Sequence, residues 1–150
     1  MRVGLSLLTL VPGISGGSET YARELCRALA RVGQHQYEVL APTLAPEAGG
    51  GLETLVATGY PAATTIPGRL RAMAGVSARP GALATRLAGA DVVHYPLTVP
   101  VPPVERPTIL TLLDVQHLDL PELFPRGERV FRRLAYDRAG DGHYDTASAF

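Results

Sequence analysis

The chain has 150 residues, and its 14 basic and 14 acidic side chains give a formal charge of zero at neutral pH. That length sustains one hydrophobic core and one domain, and the balanced charge gives no footing for a nucleic-acid surface. Cys26 is the single cysteine, which excludes an internal disulfide and a cysteine-built metal site, and no apolar run reaches the ~20 residues that cross a bilayer.

Residues 3–11 (VGLSLLTLV) read as a short buried strand. The stretch from Arg2 to Gly17 mimics a secretory leader, but its apolar run is only as long as the shortest such segment and it lacks an A-x-A-like cleavage site, so a first strand and a cytoplasmic protein are expected. Residues 13–20 (GISGGSET) then form a glycine-rich turn into a helix whose apolar stripe is Tyr21, Leu25, Ala28, Leu29 and Val32. Cys26 sits beside that stripe, where a small buried filler is expected. A second strand at 37–41 (YEVLA) and a third at 52–58 (LETLVAT) flank a Pro/Gly/Ala loop. Two short helices, 69–76 and 82–87, are split by Pro80 and Gly81. Residues 90–95 (ADVVHY) and 108–113 (TILTLL) are further strands, joined by a proline-rich extended loop. A helix over 127–139 follows, and 144–150 (YDTASAF) resembles the start of another strand. Strands alternating with helices predict an α/β fold with a Rossmann-like parallel sheet and helices on both faces. An α/β layer normally covers such a last strand with a helix, so the chain reads as a truncated or half architecture.

Ligands of such sheets bind outside the carboxyl ends of the strands. The first candidate there is the glycine turn. Gly16, Gly17 and Ser18 present backbone N–H groups at a helix N-terminus, where dipole and unpaired donors favour a phosphate. Simple helix capping by Ser18 or Thr20 is the competing reading. The glycines are spaced G-x-x-G-G, so the dinucleotide fingerprint is absent, and a chain without lysine cannot hold a Walker-type loop. A nicotinamide-dependent oxidoreductase is therefore disfavoured. Asp114 ends an apolar strand, where a carboxylate serves a ligand or caps a turn. His117 lies three residues on and is suited to proton handling near neutrality. His94 and Tyr95 close the preceding strand on the same edge. No metal ligands fall at binding spacing, and no serine or cysteine relay is suggested. Arg126, Arg129, Arg132, Arg133 and Arg138 form one basic cluster, read as a solvated helix face with weak peripheral membrane contact as the alternative.

Taken together, VPGISGGSETYARELCRAL, ADVVHYPLTVPVP and TILTLLDVQHLDLPELFP resemble the N-terminal, acceptor-side domain of GT-B glycosyltransferases of family 4. The resemblance implies retaining transfer of a sugar of mannosyl, rhamnosyl or glucosyl type from a nucleotide-sugar to a glycan or lipid acceptor, with no metal and no cofactor. Gly16, Gly17 and Ser18 would approach the donor phosphates, His94 and Tyr95 the acceptor, and Asp114 and His117 would be catalytic. Leu113 stands where many members carry a histidine before the aspartate. The family's second domain, with its E-x7-E motif, would supply most of the donor site, and 1–150 alone would be inactive. A non-catalytic binding or interaction module of the same fold is the alternative.

Overall fold

A computed structural model describes residues 1–14, 16–113, 120–130 and 132–133. Its elements in chain order are β1 (Arg2–Ser6), α1 (Gly17–Val32), β2 (Gln36–Pro42), β3 (Glu53–Ala57), α2 (Ile66–Ala78), α3 (Gly81–Arg86), β4 (Val92–Tyr95) and β5 (Thr108–Leu110). A single 3-10 turn, Pro121–Leu123, precedes helical residues at 126–130 and 132–133. The strands form one sheet in the order β3-β2-β1-β4-β5, every neighbouring pair parallel. This is the α/β Rossmann-like arrangement predicted from the alternation of elements.

Strand periodicity divides the core into two layers. Val3, Leu5, Val39 and Ala41 point to the face covered by α1, together with Ala45 and Ala48 of the β2–β3 connection. Leu40, Val93 and Tyr95 point to the opposite face, where Ala72, Met73 and Val76 of α2 and Leu87 just beyond α3 cover them. Gly4 belongs to that second face. A Cβ there would come within 2.9 Å of Leu87 Cδ2, so glycine lets the end of α3 approach β1 closely.

Two strand ends differ from the sequence expectation. The first strand stops at Ser6, although Leu7, Leu8, Leu10 and Val11 stay buried. Leu7 still donates to Leu40 O, and then the Leu10 N–H turns back onto Leu7 O at 2.9 Å. Burial continues past the strand, so an apolar run alone overstates its length. The last described strand likewise ends at Leu110, although the Thr111 N–H still donates to Tyr95 O at 3.2 Å.

The helix stripe is also rotated. Ala22 and Cys26 are the fully buried positions of α1, with Leu25 and Leu29 at its margins, whereas Tyr21 is exposed and Val32 is 75 % exposed. Close approach of helix to sheet selects the smallest side chains for the contact line, which the larger apolar residues obscure in the sequence. The predicted strand at 144–150 and the helix beyond residue 133 lie outside the described residues.

Candidate functional site

In an open parallel sheet, the crevice forms where neighbouring strands send their connections to opposite faces. Here that point lies between β1 and β4. The β1 connection runs to α1 on one face, while the residues following β4, Val99 and Val101, pack on the other. The glycine turn follows β1, and His94 and Tyr95 end β4. The fold therefore brings the two sequence-predicted groups to the same carboxyl edge.

The turn is built by glycine geometry. Gly13 and Gly16 have φ of 73° and 52°, in the left-handed region that L side chains rarely adopt. A Cβ at Gly16 or Gly17 would meet nothing within 4 Å, so space lies open beside the turn. Gly16 is the N-cap of α1 and no side chain caps it. Its carbonyl accepts from the Glu19 and Thr20 N–H groups at 3.1 and 3.3 Å. The N–H groups of Gly17 and Ser18 have no partner among the described residues. Neither Ser18 nor Thr20 acts as the cap.

A carboxylate already stands at this helix end. Glu19 Oε2 accepts from the Gly13 N–H at 2.8 Å, and Glu19 Oε1 accepts from Arg23 Nε at 2.9 Å. Arg23 Nη1 in turn contacts Glu47 at 2.8 Å, which ties α1 to the β2–β3 connection. The Gly13 N–H, and then the Arg23 guanidinium, hold the Glu19 carboxyl below its ordinary range. Glu19 occupies the third helical position, where a glutamate of the capping-box type reaches back to an unsatisfied N–H. That spacing was the available sequence signal for it.

On the β4 side, His94 Nε2 lies 2.8 Å from Thr111 Oγ1. Burial pushes the His94 imidazole down to about 4, so it is uncharged near neutrality and offers one donor and one acceptor nitrogen. Thr111 receives a second tie, because Thr98 Oγ1 donates to its carbonyl at 2.8 Å. Thr98 itself is 5 % exposed and has a φ of 68°, an outlying conformation for a β-branched residue. Such strain persists only where surroundings over-determine it, and it gathers at functional sites. The sequence offered no sign of this clasp beyond a threonine among prolines.

Tyr95 is placed differently from the acceptor-wall position expected for it. It is 1 % exposed, and its hydroxyl donates to Pro102 O at 2.6 Å, while Ser6 Oγ donates to the adjacent Val101 O at 2.5 Å. The side chain holds the proline-rich loop onto the core instead of lining an open cleft. Asp114 and His117 lie outside the described residues. Cys26 is buried and its thiol is pushed up to about 11, which suits filler and not a nucleophile. Among the described residues no group of three potential ligands could hold a metal ion, and no helix is long and apolar enough to cross a membrane. Within the basic cluster, Arg132 contacts Glu128 at 3.0 Å and stacks over Phe124 at 4.6 Å, so part of that charge is engaged locally.

Comparison with known proteins returns nothing. No family model, no curated protein and no solved structure matches this chain.

Proposed function

We propose that the chain is the acceptor-side Rossmann-like domain of a retaining GT-B glycosyltransferase of family 4, in which the β1–β4 crevice receives the diphosphate of a nucleotide-sugar. The observation that carries this reading is the pairing, on one carboxyl edge, of an open glycine turn with a neutral, tethered histidine. The free N–H groups of Gly17 and Ser18 suit a phosphate oxygen at the positive end of α1. His94 suits a sugar hydroxyl, since its uncharged ring can both donate and accept. Asp114 and His117, three and six residues after Thr111 in the sequence, keep the catalytic roles that the resemblance implies. In the transfer itself, the bond from the anomeric carbon to the diphosphate oxygen breaks and a bond to an acceptor oxygen forms. Charge develops on the departing diphosphate, and two backbone donors neutralise little of it. A second Rossmann-like domain must supply the remaining cations and donors. The acceptor is a glycan or a lipid-linked sugar, and the Arg126–Arg129–Arg133 face suits an anionic membrane surface beside it.

One observation favours a second reading, a binding module without chemistry. The Glu19 carboxylate occupies the Gly13 N–H and opposes an incoming anion.

A two-domain protein carrying residues 1–150 separates the readings. Release of nucleoside diphosphate is followed with a panel of nucleotide-sugars and sugar acceptors. Asp114→Asn and His117→Ala are each expected to lower turnover by about 10²-fold or more, the usual loss for an acid–base group. Full turnover in both variants would contradict the assignment.

A further inference from the structure

Among the described residues, β3 lies at one edge of the sheet. Behind it a groove of about 400 Å³ runs between that edge and α2–α3. The last three residues of β3, Leu55, Val56 and Ala57, line it together with Thr58 and Gly59 of the turn that follows. Side chains of consecutive strand residues point to opposite faces, so a consecutive run presents the backbone edge of the chain and not one side-chain face. Val56 on this edge is 41 % exposed. Val56 O and Ala57 O accept from the Thr58 and Tyr60 N–H groups at 3.0 Å, and the outward N–H and C=O groups that remain along such an edge are a template that an added strand completes.

The opposite wall joins the small side chains of Ala72, Gly75, Val76 and Ala82 to Pro80 and Leu83. A Cβ at Gly75 would meet nothing within 4 Å, so the groove is open at that point because the side chain is absent. Among the described residues no acidic side chain lines the groove. Arg79 and Arg86 stand along it, both exposed, and neither guanidinium has an ion pair or hydrogen bond among the described residues. The surface thus combines an unfinished sheet, an apolar trough and unanswered positive charge.

We propose that this groove docks an extended segment of a partner protein, added to β3 as a sixth strand. On the face turned to the groove, the segment carries two apolar residues at alternate positions flanked by acidic ones. The backbone supplies the affinity along β3. The apolar side chains rest on Ala72 and Val76, and the carboxylates answer Arg79 and Arg86. This surface is two strands away from the β1–β4 crevice and does not rest on the function proposed above.

The test uses the isotopically labelled chain and the peptide acetyl-Glu-Thr-Val-Thr-Val-Thr-Glu-amide, which places Glu, Val, Val and Glu on one face in either strand direction. Saturable shifts are expected in the amides of residues 55–59. Exchanging both Glu for Lys, or making the double variant Arg79→Ala/Arg86→Ala, should weaken binding about 3–10-fold, as exposed charge pairs allow. Gly75→Leu should abolish it by filling the trough. That residue has open space around it, and circular dichroism checks that the variant is folded. Unchanged 55–59 amides at saturating peptide would overturn the proposal. Equal shifts from a fully N-methylated peptide or from octanoate would also overturn it, in favour of a small amphiphile. Shifts that grow with protein concentration in the absence of peptide would do so in favour of a second copy of this chain.

Discussion

His94 couples the candidate site to pH. Its imidazole is held neutral by burial, down to about 4, against an ordinary value near 6.5. The unfolded chain therefore binds a proton that the folded chain refuses between those values. Stability from this residue is fully present above about pH 6.5 and is lost as pH falls towards 4. Between about pH 7 and pH 5 the loss is on the order of 2 kcal/mol, and urea unfolding at the two pH values measures it. His94→Gln, which keeps a polar group near Thr111, is expected to flatten most of that slope. An unchanged slope would show that His94 is not the buried titrating group. Glu19 acts in the other part of the acid range. Its depressed carboxyl contributes stability above the ordinary carboxylate value and loses it as pH falls through its folded value. Thr98 and Thr111 show how a strained residue can position a neighbour: the left-handed threonine spends its hydroxyl on the Thr111 carbonyl, three residues before Asp114.

At the scale of elements, α1 is the clearest test of the packing argument. Ala22 is fully buried against the sheet, whereas Val32 is mostly exposed. Ala22→Leu should therefore cost about 1–3 kcal/mol by overpacking, while Val32→Ala should stay within about 0.5 kcal/mol, both read from urea midpoints. The sequence pattern alone would have ranked the two positions the other way. Its period located the helix correctly, because the 3.6-residue repeat is a property of the backbone. The contact line was misjudged because hydrophobicity and closeness of approach are different quantities. The same distinction explains the short β1. An apolar run marks burial, and Leu7 to Val11 are buried in a turn as effectively as in a strand. Element order and the parallel sheet were legible from alternation, and so was the meeting of the glycine turn with His94. The Glu19 contact was half-legible from its spacing to the helix start. The Thr98 clasp and the core role of Tyr95 were not, since both depend on how the 96–107 loop folds back over β4.

For the whole molecule, the strand order β3-β2-β1-β4-β5 sets two separate surfaces among the described residues, a carboxyl-edge crevice at the centre and a backbone edge at β3. The crevice carries the proposed sugar chemistry, and the Glu19 carboxylate on the Gly13 N–H stands beside the proposed anion site at Gly17 and Ser18. Backbone donors at one helix end hold a nucleotide-sugar weakly, with a dissociation constant around 1 mM corresponding to only about 4 kcal/mol. The direct measurement is an amide titration of the labelled chain with GDP-mannose and UDP-glucose, in the wild type and in Glu19→Gln. Shifts are expected at Gly17, Ser18 and His94 in the wild type, with about 3-fold tighter binding once the competing charge is removed. Loop amides that stay in place in both proteins at saturating ligand, or shifts confined to residues away from the β1–β4 crevice, would contradict a diphosphate site there.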